Sequence, residues 1–82
     1  MNDTDHFQPL RQRMLAGESV LGAWLQFSDP FVAEAMAHTG WDWLLVDMEH
    51  GPVSLDDAAA MVTAIRTTRV APIVRPGWFG WR

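Results

Sequence analysis

The stretch from Trp41 to Pro52 constrains this chain more than any other part of it. Its middle, Trp43–Val46, is an apolar run with the length and composition of a buried strand. Directly after this run come Asp47, Met48, Glu49, His50, Gly51 and Pro52. Polar groups that follow a buried strand are enriched at functional sites, although they also solvate ordinary turns. The segment therefore predicts either a site for chemistry or a polar loop.

Periodicity along the chain predicts one helix followed by alternating strands and helices. The predicted helices are Phe7–Leu15, Pro30–Thr39 and Leu55–Thr67, and the predicted strands are Val20–Gln26, Asp42–Asp47 and Val70–Arg75. Alternation of this kind indicates parallel strands with right-handed crossovers, and the spacing is close to the roughly 30 residues of a βα unit in an eightfold barrel. The predicted fold class is α/β: an N-terminal helix plus β-α-β-α-β, the first part of a TIM (β/α)8 barrel, incomplete.

Local signals support the helix boundaries. Asp29 before Pro30 and Ser54 before Leu55 are good N-cap residues, and Gly40 is a typical helix stop. The predicted buried stripes are Phe31, Val32, Ala35 and Met36 on the second helix, and Leu55, Ala58, Val62 and Ile65 on the third. A proline inside the last strand, Pro72, argues against a central position in a sheet because proline donates no hydrogen bond to a neighbouring strand.

Composition excludes several classes of function. The 82 residues include no Cys, so disulfides and thiolate sites are absent, and no Lys, so Schiff-base chemistry is absent. The net charge of −4 and the scattered Arg residues argue against a nucleic-acid or membrane partner. The polar N-terminus does not have the pattern of a signal peptide, and we expect a cytoplasmic location.

Candidate site residues stand at the predicted carboxyl ends of the strands. Trp24 and Gln26 are at the end of the first strand, Asp47 to His50 follow the second, and Arg75 ends the third. In parallel neighbouring strands these ends lie side by side, so an aromatic ring, an acid–base imidazole and a fixed cation are expected to converge. The alternative interpretation of Arg75 is that it is an ordinary surface residue with no part in a site.

Two other interpretations stay open at this point. The chain could be a small, non-catalytic α/β interaction module that kept a core without chemistry. Alternatively, Asp47, Glu49 and His50 could form a local metal site, although two adjacent residues rarely face the same ion. A nucleotide site is not indicated because there is no Gly-rich phosphate loop.

Four segments resemble the HpcH/HpaI aldolase family, whose members include 4-hydroxy-2-oxoheptanedioate aldolase and 2-dehydro-3-deoxyglucarate aldolase. They are Gly22–Trp24, Ser28–Pro30 with Glu34, Gly40–Pro52, and Pro72–Pro76. The resemblance runs from about Leu10 to Trp78 and covers the first third of a family member. It implies a partial TIM-barrel domain over residues 1–82, with a helix in 1–17, three βα units in 18–78 and a divergent tail in 79–82.

The resemblance also implies a function. It implies a class II carbon–carbon lyase that cleaves a 4-hydroxy-2-oxo acid reversibly to pyruvate and an aldehyde with Mg, Mn or Co. In the family, the position of His50 is the acid/base and that of Arg75 stabilises the enolate, whereas Trp24 is a further candidate for substrate binding. Asp47 and Glu49 are supporting residues that the sequence does not rank.

The family's remaining machinery matches nothing in this chain. Its metal ligands, its downstream Asp and most of its substrate contacts lie on strands beyond residue 82, so the resemblance places no metal ligand here. Family members are homo-oligomers. We therefore expect the 82-residue chain by itself to bind no metal tightly and to be inactive.

Overall fold

The computed structural model describes residues 6–77 and contains three helices and three strands in those residues. In chain order they are α1 (Phe7–Leu15), β1 (Gly22–Leu25), α2 (Pro30–Ala37), β2 (Trp43–Asp47), α3 (Leu55–Ile65) and β3 (Ala71–Arg75). All six predicted elements are present, and most differ from their predicted bounds by one or two residues at an end. The tail predicted for residues 79–82 lies outside the described residues, and the proposed division into domains stays a prediction.

The three strands form one parallel sheet in the order β1-β2-β3. The register pairs Trp24 with Leu45 and Leu45 with Ile73, and it pairs Asp47 with Arg75 at the carboxyl ends. Each strand therefore pairs with the next strand in the sequence, and a helix connects the two along the chain. This is the arrangement with which a (β/α)8 barrel begins, so the predicted α/β fold class is confirmed.

Pro72 lies in β3 without disrupting the pairing with β2. The backbone N–H of Ala71 donates to Asp42 O at 3.1 Å, and the carbonyl of Arg75 accepts from Met48 N at 3.0 Å. Alternate residues of a strand point their backbone groups to opposite sides, so Pro72 faces away from β2. On that side the described residues place no further strand, and the missing N–H costs no hydrogen bond between β2 and β3.

The core lies between one face of the sheet and helices α2 and α3. It contains Leu25, Leu44 and Val46 from the strands, Ala33 and Ala37 from α2, and Ala58, Met61 and Ile65 from α3. Small buried alanines on α2 let that helix lie close to α3. This core occupies the face opposite to Trp24, Leu45 and Ile73.

The predicted helix stripes were wrong in part. Leu55 is 69% exposed and Phe31 is 84% exposed, whereas Met61, which the predicted stripe omits, is completely buried. In α3 the buried side chains follow the spacing Ala58, Met61, Ile65, and Leu55 lies to one side of that line because a helix has 3.6 residues per turn. On α2 the prediction was wrong at three of its four positions, because Val32 and Ala35 are exposed as well as Phe31, and the buried residues are Ala33 and Ala37.

Helix α1 lies at the amino ends of β2 and β3 and has no buried residue. Arg13 Nη1 donates to Asp42 Oδ1 at 2.6 Å just before β2. Nε2 of His6 lies 3.1 Å from the carbonyl oxygen of Arg66 and 2.8 Å from that of Thr68, just before β3. The carboxyl ends of the strands are therefore left free of α1. Within residues 6–77 no helix has the length and apolar character that crossing a membrane requires.

Candidate functional site

The structure brings the predicted site residues together at the carboxyl edge of the sheet. Asp47 ends β2 and Arg75 ends β3, and the two are direct neighbours across the pair. Glu49 and His50 follow in the turn after β2, and Trp24 projects from β1 on the same face. His50 and Arg75 therefore share one edge, as the alternation of strands and helices predicts.

The turn after β2 is shaped by the Asp47 side chain. Its Oδ1 accepts from the backbone N–H of Glu49 at 2.9 Å and of His50 at 3.0 Å, a local pattern to which aspartate is well suited. Gly51 is required next, because a Cβ there would lie 2.7 Å from the carbonyl oxygen of Gln26. The turn thus packs directly against the end of β1, which holds His50 in place.

Asp47 and His50 form a hydrogen-bonded pair. Oδ2 of Asp47 lies 3.0 Å from Nδ1 of His50, and the Asp47 side chain is completely buried. Burial alone would raise the pKa of Asp47, but hydrogen bonds from the His50 backbone and ring, from the Glu49 N–H and from Gln26 outweigh it and lower the pKa to about 2. The carboxylate is therefore ionised at neutral pH, and the ring nitrogen that faces it carries a proton. Nε2 is left as the nitrogen that can exchange a proton with a ligand.

Glu49 has a different partner. Its carboxylate accepts from Arg75 Nε at 3.2 Å and from Arg75 Nη2 at 3.1 Å, a bidentate ion pair between side chains that are each about 40% exposed. The same Oε1 lies 3.5 Å from Nε2 of His50. The structure thus ranks the two acids: Asp47 orients the imidazole, whereas Glu49 lies between the imidazole and the guanidinium.

Arg75 also contacts the predicted aromatic residue. Its Cζ lies 5.6 Å from the centroid of the Trp24 ring, within the range of a cation–π interaction. Glu49 takes Nε and one Nη2 hydrogen, and no other acceptor within residues 6–77 binds the remaining guanidinium hydrogens, which can therefore bind an anion. A half-exposed cation held by a carboxylate and an aromatic ring is a suitable binding group for a small oxyanion.

The local metal site is not supported by the geometry. Within residues 6–77, no group of three His, Asp or Glu side chains could hold a metal ion. The oxygens of Asp47 are occupied by four hydrogen-bond contacts, and the Glu49 carboxylate is turned to Arg75.

Sequence reasoning placed Gln26 among the candidate residues at the end of the first strand but assigned it no role, and the structure shows what it contacts. Its Nε2 donates to Asp47 Oδ2 at 3.3 Å, and that oxygen also faces His50. The available signal was alternation along β1, which places Gln26 on the same face as Trp24. Alternation predicts on which face of the sheet Gln26 lies, but it does not predict that its side chain contacts Asp47.

The low pKa of Asp47 predicts a pH dependence of stability. Because the folded pKa is about 2 and the usual value is 3.8, ionised Asp47 stabilises the fold above pH 3.8, and this contribution is lost as the pH falls towards 2. We expect the free energy of unfolding to fall less over this range in Asp47→Asn than in the original chain. Urea unfolding at several pH values measures it, with Asp29→Asn at the α2 N-cap as the control. Parallel curves for the original chain and Asp47→Asn would contradict the prediction.

Comparisons with a family model and with curated proteins both relate this chain to aldolases. A family model described as HpcH/HpaI aldolase/citrate lyase matches residues 20–79. A hydroxypyruvate/pyruvate aldolase from Sagittula stellata is 44% identical over 63 residues, which are 77% of this chain and 25% of that protein. A 2-keto-3-deoxy-L-rhamnonate aldolase from Klebsiella pneumoniae is 37% identical over 68 residues, which are 83% of this chain and 26% of that protein. The chain thus spans about a quarter of the length of the curated relatives it matches.

Solved structures agree with the sequence relatives. An HpcH/HpaI aldolase/citrate lyase family protein from Burkholderia cenocepacia superposes with a TM-score of 0.68 at 40% identity, over 82% of this chain and 27% of that protein. Citrate synthase SbnG superposes with a TM-score of 0.75 at 31% identity, over 83% of this chain and 28% of the other. The three strands and the two helices that connect them are therefore a part of the larger fold that these proteins share.

Proposed function

Since this chain belongs to the HpcH/HpaI aldolase/citrate lyase family, we propose that it forms the acid–base and anion-binding part of an aldolase. The proposed reaction is the reversible cleavage of a 4-hydroxy-2-oxo acid to pyruvate and an aldehyde. The observation that carries the proposal is the hydrogen bond between buried Asp47 and half-exposed His50 beside Arg75, at the edge where barrel enzymes place their chemistry. Relatives named as hydroxypyruvate/pyruvate aldolases support the choice of pyruvate.

The first step is removal of a proton. With Nδ1–H directed at Asp47, Nε2 of His50 accepts the proton of the substrate's C4 hydroxyl group. The bond between C3 and C4 then breaks, the aldehyde leaves, and the electron pair moves through C3 and C2 to the keto oxygen. The resulting imidazolium lies between the carboxylates of Asp47 and Glu49, which stabilise its positive charge.

The second requirement is stabilisation of the enolate. The Arg75 guanidinium is always charged, and it is held in place by Glu49 and stacked near Trp24. Its remaining hydrogens can bind the enolate oxygen or the carboxylate of the 2-oxo acid, and such fixed charges act where negative charge develops. A proton then returns from His50 to C3, which yields pyruvate and restores the neutral imidazole.

A divalent metal belongs to the chemistry that the family resemblance implies, and in that setting it would polarise the 2-oxo acid. The described residues do not fit such an ion, because Asp47 and Glu49 are already paired. No step above is therefore assigned to a metal.

The proposal is tested in a chimera. The matched segment of this chain replaces the corresponding segment of the Sagittula stellata aldolase, to which it is 44% identical. We expect the chimera to release pyruvate from a 4-hydroxy-2-oxo acid, measured by coupled reduction of pyruvate to lactate. Replacement of Arg75 by Met in the chimera is expected to lower kcat by about 10²–10³-fold.

The isolated chain supplies the complementary measurement. We expect it to show no turnover above a His50→Ala variant. A chimera that folds and yet releases no pyruvate would contradict the proposal and favour the alternative of a non-catalytic interaction module.

A further inference from the structure

Gln26 contacts the proposed acid–base pair and has no part in the steps described above. It is the first residue after β1, and its amide reaches across to the end of β2. The four contacts of the Asp47 carboxylate divide evenly between its oxygens. Oδ1 accepts the two backbone N–H groups of the turn, whereas Oδ2 faces His50 Nδ1 at 3.0 Å and Gln26 Nε2 at 3.3 Å. Gln26 is therefore the side chain that shares the functional oxygen with the imidazole.

The orientation of the amide follows from charge. An ionised carboxylate repels the amide oxygen and attracts the amide N–H, so the nitrogen is the atom that faces Oδ2. A hydrogen bond to the charged form of a buried acid favours that form, and Gln26 accordingly contributes to the low pKa of Asp47. The amide thereby helps to keep an acceptor, and not a donor, in front of His50.

Backbone packing restrains this contact. The turn that carries His50 lies so close to Gln26 that a Cβ on Gly51 would be 2.7 Å from its carbonyl oxygen. The Ser28 hydroxyl, two residues after Gln26, donates to the carbonyl oxygen of Pro52. The end of β1 and the turn after β2 therefore lie in direct contact, and the amide of Gln26 is already positioned next to Asp47.

We propose that Gln26 is a positioning residue, which holds Oδ2 of Asp47 against Nδ1 of His50 and so fixes the imidazole in the tautomer that leaves Nε2 unprotonated. The proposal deepens the proposed function and rests on it for its catalytic meaning. Its physical content, a fixed tautomer, is independent of substrate. The charged groups facing the imidazole are Asp47 on Nδ1 and Glu49 near Nε2, with Arg75 behind Glu49.

The test compares two replacements of similar size. Gln26→Met removes the N–H donor and keeps the length of the side chain, whereas Gln26→Glu keeps the shape and places a second acceptor against Oδ2. Gln12→Met is the matched control, because Gln12 is exposed on α1 near the opposite end of the sheet. ¹⁵N NMR of the imidazole nitrogens reports the tautomer, and ¹³C NMR of the Asp47 carboxyl group reports its pKa. Both can be recorded on the 82-residue chain in solution or on a hydrated pellet.

We expect the original chain and Gln12→Met to show one imidazole tautomer, with the proton on Nδ1. Gln26→Met should show a mixture of tautomers and a rise in the pKa of Asp47 from about 2 towards 3.8. Gln26→Glu should show a larger rise, by about one unit more, because two like charges would face each other. An Asp47 pKa that rises from the original chain to Gln26→Met and again to Gln26→Glu identifies Gln26 as a hydrogen-bond donor. If Gln26 acted by packing alone, the Asp47 pKa would be the same in all three chains.

A single Nδ1–H tautomer and an unchanged Asp47 pKa in both Gln26 variants would overturn the proposal. That result would leave the proposed aldolase function untouched, because no substrate is involved. Conversely, an inactive chimera together with the expected order of NMR effects would contradict the function and keep the positioning role.

Discussion

Replacing His50 by Ala in the aldolase chimera is expected to lower kcat for pyruvate release by about 10²–10⁴-fold, the usual contribution of a general acid–base residue. The physical reason is that the Nδ1–H contact with the buried carboxylate of Asp47 leaves Nε2 of His50 without a proton and able to accept one. Without the imidazole, the C4 hydroxyl proton has no positioned acceptor. Coupled measurement of pyruvate at saturating substrate gives kcat for the chimera and its variant.

His38→Ala is the matched control for this loss. His38 is an exposed histidine at the C-cap of α2, near Trp41 and Asp42 at the amino ends of the strands, so its removal should leave kcat unchanged. Added free imidazole is expected to restore part of the activity of His50→Ala and none of that of the Arg75→Met chimera. Equal values of kcat for the chimera and its His50→Ala variant would show that His50 is not the general acid–base residue.

The second large effect concerns stability. Leu44→Ala is expected to lower the free energy of unfolding by about 2–5 kcal/mol, since Leu44 is completely buried in the middle strand and its loss leaves a cavity. Globular domains have a total stability of only roughly 5–15 kcal/mol, so this loss would remove a large fraction of it. Urea unfolding followed by tryptophan fluorescence measures the change.

Leu55→Ala tests the corrected helix stripe with the same substitution. Leu55 is 69% exposed in the first turn of α3, so its replacement should change the free energy of unfolding by about 0.5 kcal/mol or less. Similar losses for Leu44→Ala and Leu55→Ala would show that Leu55 is a core residue, as the apolar stripe of the sequence had predicted.

Much of the fold could be predicted because the responsible interactions are local. Asp29 caps α2 by accepting from the Phe31 N–H at 2.9 Å, and Ser54 caps α3 by accepting from the Asp57 N–H at 3.1 Å, as the sequence predicted. Alternation along the strands separates the core face from the face that carries Trp24. Because the strands are parallel, their carboxyl ends lie at one edge of the sheet. The structure places Asp47 and Arg75 at this edge as neighbours.

The partners within the site depended on contacts between segments distant in the chain. Sequence alone left Asp47 and Glu49 unranked, because both stand within reach of His50. Only the register of β2 against β3 brings Arg75 beside Glu49, and only the packing of the turn against β1 brings Gln26 to Asp47. The sequence therefore determined the elements, the caps and the edge at which the polar groups gather, through interactions over a few residues. The tertiary structure decided which carboxylate orients the imidazole and which helix residues are buried, because those outcomes depend on how separate elements pack.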